Sequence, residues 1–320
     1  MPPPLTFIRA AETWVPSADG ARLVAAPNTF STSRRLEALG REQGFARGEG
    51  LPGRAWELGR PLLMQDLGAA YFQRASAAQE AGITCAMAVP IILGGALKAV
   101  LVLFCGHVAG RCDALELWHV DAHLSTDMHW VDGAYGDGDP AFAAASRSTV
   151  LARGEGLPGT AWQRGEIQFM EDLSTAPRFK RASQAGEAGL RRGLAIPFGA
   201  QDDSGYVVAL LAGADLPLAL AIERWEPDSS KQKLVRTYAF SERQGGRVST
   251  PAELGLQDGE AAPSAVAAAY ATGMPTLSDA PDQEPGPVAS TASTVGASAL
   301  LALPVIWGGS VIRGVMVLYL

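Results

Sequence analysis

Two stretches, ARGEGLPGRAWELGR at residues 46–60 and ARGEGLPGTAWQRGE at residues 152–166, decide how this sequence is organised. The agreement continues downstream, because FQRAS at 72–76 corresponds to FKRAS at 179–183 in the same order. Self-similarity at a fixed period is the signature of a repeated structural unit. The sequence therefore contains at least two copies of one unit.

A third, more divergent copy is indicated by two features that all three copies share. One is a Glu-x-Trp element, and the other is a proline that recurs at intervals of 107 residues. The Glu-x-Trp elements are Glu12/Trp14, Glu116/Trp118 and Glu223/Trp225, and the prolines are Pro90, Pro197 and Pro304. We therefore predict three repeats docked side by side through short joints: unit 1 (residues 1–110), unit 2 (111–216) and unit 3 (217–320).

The composition of the 320 residues is that of a packed globular protein, with 48% hydrophobic and 18% charged side chains. The net charge of −7 argues against a nucleic-acid partner, because phosphate binding requires a basic face. Three cysteines, Cys85, Cys105 and Cys112, are too few for a disulfide scaffold of this size. No signal peptide is visible. We expect a cytoplasmic protein.

Two apolar stretches, 86–105 and 298–320, are long enough to be scored as membrane spans. Each contains a Gly-Gly pair near its middle, Gly94-Gly95 in the first and Gly308-Gly309 in the second. An apolar run on either side of a Gly-Gly turn is the pattern of a β-hairpin. We predict two buried hairpins and no membrane partner.

Each complete unit is predicted to follow the order β-β-α-β-α-β-β. Alternating apolar positions at the start indicate a pair of half-buried antiparallel strands, and GEGLPG predicts a tight turn whose proline begins a short helix. This order predicts an α+β fold, in which a central antiparallel sheet carries helices mainly on one face. In unit 3 we predict a loop at 281–295, because that segment is rich in Pro, Ser, Thr and Gly.

Units 1 and 2 resemble the GAF domains of bacterial-type sensory and regulatory proteins. The resemblance rests on spaced blocks, at 48–56, 59–61, 66–67, 72–78 and 88–91 in unit 1 and at 154–162, 172–173, 179–182 and 195–198 in unit 2. Unit 3 is degenerate, since it lacks GEGLPG and the F-x-R-A helix. The resemblance implies a pocket over the sheet. It leaves the ligand and any cofactor unknown, because relatives bind cyclic nucleotides, tetrapyrroles, haem and small acids.

The resemblance implies that this pocket is bordered by the segment from Asp66 to Ala75 in unit 1 and from Asp172 to Ala182 in unit 2, and each unit offers four candidate ligand-binding residues. They are Trp56, Asp66, Phe72 and Arg74 in unit 1, and Trp162, Asp172, Phe179 and Arg181 in unit 2. An arginine there can bind a carboxylate or phosphate in bidentate fashion, or it can pair with the nearby aspartate and fix the helix to the strand. The tryptophans can stack on a ligand or fill the core.

The GEGLPG turn also has two interpretations. A Gly-rich turn before a helix can present backbone N–H groups to an anion, and the same turn can simply pack the helix against the sheet. Glu49 and Glu155 would repel a phosphate, which favours the structural interpretation.

Neither the cysteines nor the histidines predict a metal or catalytic site. Some GAF domains reduce free methionine sulfoxide with cysteines, which here requires Cys85 to lie within disulfide range of Cys105 or Cys112. Cys105 is on an apolar strand, where cysteine usually acts as a small hydrophobic residue. His119 and His129 lack the spacing of metal ligands and are expected to face solvent.

The leading hypothesis is a non-enzymatic, small-molecule-sensing regulatory protein in signal transduction, with ligand sites in units 1 and 2. Unit 3 is expected to serve packing, contact with a protein partner or self-association. The alternatives are a structural or interaction module without a ligand and a methionine sulfoxide reductase-like redox enzyme. Ligand binding predicts a concave, partly polar cavity over the sheet, whereas a structural module predicts pockets filled by side chains.

Overall fold

The computed structural model describes residues 5–41, 43–68, 72–138, 140–201, 204–256 and 264–320. Unit 1 contains β1 (Ile8–Pro16), β2 (Arg22–Ser31), α1 (Arg34–Arg41), β3 (Gly44–Ala46), α2 (Gly50–Leu58), β4 (Leu62–Met64), α3 (Ala75–Glu80), β5 (Cys85–Leu93) and β6 (Ala96–Cys105). Unit 2 repeats this order with β7 (Ala114–Val120), β8 (Met128–Tyr135), α4 (Ala141–Ser148), β9 (Val150–Leu151), α5 (Gly156–Arg164), β10 (Gln168–Met170), α6 (Ala182–Glu187), β11 (Leu190–Gln201) and β12 (Ser204–Gly213).

Unit 3 departs from this order where the first helix would be. It contains β13 (Ala221–Pro227), β14 (Lys233–Ser241), β15 (Gly246–Arg247), β16 (Glu253–Gly255), α7 (Ala265–Thr272), β17 (Thr276–Ser278), a 3-10 turn (Pro281–Gln283), α8 (Pro287–Val295), β18 (Leu300–Trp307) and β19 (Val311–Tyr319). Two short strands, β15 and β16, follow β14 in place of the helix and pair with it.

The predicted loop at 281–295 is wrong, because α8 occupies most of it. Pro287 stands in the first turn, where its missing N–H costs nothing, and Gly296 ends the helix in the left-handed conformation. Val288, Ala292 and Val295 form a buried stripe at helical spacing. The periodicity of these three apolar residues outweighs the loop-like composition between them.

The strand order is the same in all three sheets and confirms the predicted α+β fold. The orders are β3-β2-β1-β6-β5-β4, β9-β8-β7-β12-β11-β10 and β15-β14-β13-β19-β18-β17, and every pairing is antiparallel. Both Gly-Gly stretches form the predicted hairpins, β5–β6 and β18–β19. The short strands β3 and β9 were not predicted, because three or fewer residues carry too little periodicity.

Each sheet buries both of its faces. One face lies against the helices of its own unit, where Trp14, Trp118 and Trp225 are fully buried in three separate clusters. The other faces meet in one joint core, to which all three units contribute, with Met87, Leu210 and Leu318 as examples. The three units therefore share a hydrophobic core across their joints.

The units also contact one another in a head-to-tail ring. Strand β4 of unit 1 packs against β8 of unit 2, where Gln65 donates a hydrogen bond of 2.6 Å to Asp132. Phe169 of β10 in unit 2 contacts Phe240 of β14 in unit 3, with ring centroids 5.2 Å apart. Strand β17 of unit 3 packs against β1 and β2 of unit 1. Each unit thus uses the same edge against the next, and the third contact closes the ring.

None of the helices in the described part of the chain combines the length and apolarity that crossing a bilayer requires.

Candidate functional site

A buried ion pair lies on the helix-covered face of the sheet in unit 1. Arg74, immediately before α3, donates from Nη2 to Oε2 of Glu12 at 2.9 Å and from Nη1 to the other carboxylate oxygen. Trp14 Nε1 donates to the same carboxylate at 3.1 Å. The side chains of Arg74 and Glu12 are 4% and 3% exposed. Because a buried charge is costly unless it is paired and hydrogen-bonded, the three side chains satisfy one another.

Unit 2 repeats this arrangement and surrounds it with two additional side chains. Arg181 pairs with Glu116 at 2.7 Å, and Trp118 donates to Glu116 at 2.9 Å. Ser146 of α4 also bonds Arg181, and the Phe142 ring lies 4.7 Å from the guanidinium carbon. Burial acts to raise the pKa of Glu116, but Arg181 and the surrounding hydrogen bonds hold that pKa below its ordinary value.

Unit 3 keeps the glutamate and tryptophan but takes its arginine from a different element. Arg236 of β14 pairs with Glu223 at 2.5 Å, and Trp225 donates to Glu223 at 2.9 Å. Tyr319 and Thr291 also donate to this carboxylate. The Glu-x-Trp element therefore marks the same buried ion pair in all three units, although unit 3 lacks the F-x-R-A helix.

The alternative in which Arg74 and Arg181 pair with the nearby aspartates is wrong. Asp66 accepts a hydrogen bond from the backbone of Gly68 at 2.8 Å, and Asp172 pairs with Arg191 at 2.9 Å. Both arginines of the F-x-R element instead reach the Glu-x-Trp carboxylate on the first strand. The aspartates thus stabilise the turn after the short strand and lie away from the ion pair.

A cavity with a volume of about 270 Å³ lies in unit 1. It is bounded by β2, β3, the start of α2, the segment before α3 and β6. Its apolar walls include Phe45, Phe72, Phe104, Leu51, Pro52 and Val102, and its polar walls include Arg22, Gln43, Glu49, Gln73 and Arg74. The cavity is concave and partly polar, as ligand binding requires, and its volume lies just below the usual range of about 300 to 1,000 Å³ for ligand pockets.

Of the four candidates in unit 1, the structure brings Phe72 and Arg74 to the cavity wall. Trp56 is half-buried and packs in the helix-side core, and Asp66 is exposed. In unit 2, Phe179 lies beside Arg181, with 5.2 Å between its ring centroid and the guanidinium carbon.

Trp162 packs so closely on Gly205 that an added Cβ there would lie 2.6 Å from the indole. Trp56 is not part of the wall of the unit 1 cavity, and Trp162 packs against the helix-side core of unit 2, which agrees with the core-filling interpretation.

In unit 2 a lysine crosses the space that corresponds to the cavity. Lys180 takes the position of Gln73 and donates to the carbonyl of Val150 and to Glu155, each at 3.0 Å. In unit 1 the equivalent bonds come from the opposite side, because Arg22 of β2 donates to Gly44 O at 2.8 Å and to Glu49 at 3.2 Å. Unit 1 therefore secures the same turn without placing a side chain across the space.

The GEGLPG turn is held by its own glutamate. Glu49 accepts a hydrogen bond from the backbone of Ala46 at 2.8 Å, and Glu155 accepts the equivalent bond from Ala152 at 3.0 Å. An added Cβ at Gly53 would lie 2.1 Å from the carbonyl oxygen of Ala46, so only glycine fits there. These contacts support the structural interpretation of the motif.

The histidines and cysteines form no metal cluster within the described ranges. His119 is stacked on Tyr206 with ring centroids 4.4 Å apart, so it is partly covered rather than freely solvated. Cys85 and Cys105 are register partners on β5 and β6, and both are fully buried. The proximity that the redox alternative requires is therefore present for this pair.

Several residues of the cavity were missed by sequence reasoning. Arg22, Phe45 and Gln73 lie outside the repeated blocks or differ between the units, so repetition does not mark them. Glu12 was visible in the Glu-x-Trp element, where an acidic residue recurring inside an apolar strand is the signal of a buried ion pair.

Comparison with known proteins gives one family match. Residues 7–120 match a family model described as the GAF domain. A search among curated proteins returned no match.

Similar solved structures include three bacterial chains. The first is the free methionine-R-sulfoxide reductase of Neisseria meningitidis in complex with its substrate, with 17% identity over 31% of this chain and 51% of that chain and a TM-score of 0.24. The second is the NLH2 GAF domain of A. aeolicus in an inactive state, with 20% identity over 32% of this chain and 59% of that chain and a TM-score of 0.26. The third is the GAF domain of a phosphoenolpyruvate-protein phosphotransferase from Coxiella burnetii, with 22% identity over 31% of this chain and 56% of that chain and a TM-score of 0.25. The chain thus spans between 51% and 59% of the length of these three.

The family match covers unit 1 and reaches the end of β7, and the strand order of unit 1 recurs twice. Unit 1 therefore matches the GAF domain family, and units 2 and 3 repeat its strand order.

Proposed function

We propose that this chain is a non-enzymatic regulatory protein of the cytoplasm that senses a small molecule through the cavity of unit 1. The GAF family match supports a ligand-sensing regulatory role in general. The observation that carries the proposal is the cavity of about 270 Å³ over the sheet of unit 1. A signalling output through a protein partner or through self-association belongs to the same proposal.

The walls of the cavity favour a compact ligand with both an apolar and a hydrogen-bonding part. Phe45, Phe72 and Phe104 supply aromatic surface, and the side-chain amides of Gln43 and Gln73 make no hydrogen bond within the described part of the chain. Arg74 is already neutralised by Glu12, so we assign it to the cavity wall rather than to a dedicated anion site. A ligand held mainly by amide hydrogen bonds and aromatic contact fits this lining.

A second role is proposed for unit 2. Because Lys180 crosses the space equivalent to the unit 1 cavity, unit 2 is assigned to the structural framework. The joint core and the closed ring of contacts support this assignment, since both depend on all three units.

Native mass spectrometry of protein purified without refolding tests the ligand proposal. We expect a retained small molecule, or thermal stabilisation by a member of a panel of nucleotides, nucleobases, amino acids and small organic acids. The variant Gln73→Trp places a large side chain at the exposed mouth of the cavity and is expected to abolish the effect. Lys180→Trp is the matched control at the equivalent position of unit 2 and is expected to preserve it.

A clean apo mass, with no stabilisation by any member of the panel, would favour the structural module for the whole chain. If Lys180→Trp abolishes binding and Gln73→Trp preserves it, the ligand site is in unit 2.

A further inference from the structure

A pair of cysteines faces the joint core at one end of the β5–β6 hairpin. Cys85 is the first residue of β5 and Cys105 is the last residue of β6, and the two are direct register partners. Directly opposed residues in an antiparallel ladder have Cα atoms roughly 4.5 to 5.5 Å apart. This separation lies within the span of about 4.4 to 6.8 Å that a disulfide requires.

The two side chains also point to the same face of the sheet. Both belong to the joint core rather than to the helix-side core of unit 1, and each is fully buried. The thiol of Cys85 lies 4.0 Å from the carbonyl oxygen of Cys105. Closing a bond between them needs no movement of one strand past the other.

A buried cation lies beside this pair. Arg9 of β1 is 5% exposed, and its Nε and Nη1 atoms have no hydrogen-bond partner within the described ranges. It lies against Gly106, because a Cβ added there would be 2.7 Å from Nε. Burial lowers the pKa of Arg9, and the negative charges of Cys105 and Asp113 act in the opposite direction. A guanidinium next to a thiol favours the thiolate, which is the nucleophilic form.

We propose that Cys85 and Cys105 are a site of oxidation, at which hydrogen peroxide converts the two thiols into a disulfide between β5 and β6. The sulfur of Cys105 attacks one peroxide oxygen, the O–O bond breaks, and one water leaves as Cys105 becomes a sulfenic acid. The sulfur of Cys85 then attacks that of Cys105, the S–O bond breaks, and a second water leaves. Two thiols lose two electrons and two protons in total, and the peroxide is reduced to two waters.

Burial controls when this reaction occurs. Because desolvation raises the pKa of Cys105 well above its ordinary value, the closed structure holds little thiolate. The pair lies at the strand ends, next to the joint between units 1 and 2, so opening of this end is the step that admits the oxidant. The disulfide then forms inside the core that all three units share. Oxidation is thereby coupled to the packing of the three units against one another.

Thiol counting on the full chain tests the proposal. Folded protein is treated with hydrogen peroxide, quenched, denatured and titrated for thiols, and the disulfide is located by peptide mapping without reduction. Three thiols are expected before treatment and one afterwards, since only Cys112 remains. The Cys112→Ser variant is the matched control and should fall from two thiols to none. Cys85→Ala should form no disulfide within the chain, because its Cys105 can proceed only as far as the sulfenic acid.

The proposal is overturned if wild-type protein keeps three thiols under conditions that fully oxidise glutathione, or if the mapped disulfide contains Cys112. Peptide mapping of the wild type decides this even if Cys85→Ala folds poorly. Arg9 is a positioning residue in this account, so Arg9→Met should slow disulfide formation by roughly tenfold, whereas Arg9→Lys should keep most of the rate. An unchanged rate in Arg9→Met would overturn its role.

Discussion

Units 1 and 2 carry the same sequence blocks and the same buried Glu–Arg–Trp cluster, yet they treat the space beside it differently. Unit 1 leaves a cavity of about 270 Å³, and unit 2 passes the side chain of Lys180 across the equivalent space. The difference comes from Gln73, a position that varies within a repeated block, and from Arg22, which lies outside the blocks. The shared motifs therefore build the scaffold, and residues between them decide whether a ligand can enter.

The largest expected effect comes from breaking the buried ion pair in either unit. Glu116→Gln leaves Arg181 buried without its carboxylate, and we expect the free energy of unfolding to fall by about 3 to 5 kcal/mol. Glu12→Gln should cost roughly 1 kcal/mol less, because Arg74 forms part of the cavity wall and, once unpaired, can turn into that space and be hydrated. Urea denaturation measures both changes.

An exposed pair serves as the control for this comparison. Arg35 and Glu80 are both more than half exposed, so Glu80→Gln should change stability by no more than about 1 kcal/mol. Equal losses for Glu12→Gln and Glu116→Gln would contradict the idea that unit 1 is the open site.

A smaller effect is expected on the pH dependence of stability, in which the joint between units 1 and 2 differs from the joint between units 2 and 3. His107, next to the first joint, is replaced at the second by Ala214. Burial lowers the pKa of His107 to about 4. Between pH 6.5 and 4 the unfolded chain therefore binds a proton that the folded chain does not, so stability is lost as pH falls through this range, by up to about 3 kcal/mol.

His107→Ala copies the second joint and should remove this loss. Denaturation midpoints measured at several pH values between 4 and 7 give the difference in slope between the wild type and the variant. Parallel curves would show that His107 titrates normally in the folded protein.

The GEGLPG turn offers a third comparison. Gly53→Ala places a Cβ 2.1 Å from the carbonyl oxygen of Ala46, and Gly159→Ala places one 2.7 Å from that of Ala152. Backbone must move in both, so we expect losses of roughly 2 kcal/mol or more, with the larger loss in unit 1. Thermal unfolding of the two single variants checks the order, and a neutral Gly53→Ala would contradict this geometry.

The smallest effect on stability is expected from exchanging the residues that distinguish the units. Gln73→Lys provides unit 1 with the crossing lysine, and Lys180→Gln removes it from unit 2. Because the bonds of Lys180 are at the surface, stability should change by less than about 1 kcal/mol in each case. Ligand titration should nevertheless show loss of binding in Gln73→Lys. If the ligand affinity of Gln73→Lys is unaltered, the ligand does not bind in the unit 1 cavity.

The fold was largely predictable because repetition and periodicity carry it. The repeat marks the three units, and the Gly-Gly turns mark the closing hairpins. The partner of Arg74 was not predictable from proximity in sequence, because Glu12 is 62 residues away and only the sheet brings the two together. The helix at Pro287–Val295 was missed because composition was weighed above a buried stripe of three residues.

The site was predictable only in part, for the same physical reason. Phe72 and Arg74 were identified because they recur in both units, and recurrence preserves scaffold residues as readily as ligand contacts. The cavity depends on Gln73 and Arg22, which do not recur. Whether a space is empty or crossed by a side chain is a property of packing, which local pattern does not encode.

Hydrogen–deuterium exchange with and without the bound small molecule tests the central claim most directly. We expect slower exchange on binding in peptides that cover 43–53 and 72–76 of unit 1, with no change in the equivalent peptides 149–159 and 179–183 of unit 2. Protection confined to unit 2, or equal protection in both units, would contradict the claim that unit 1 is the open site.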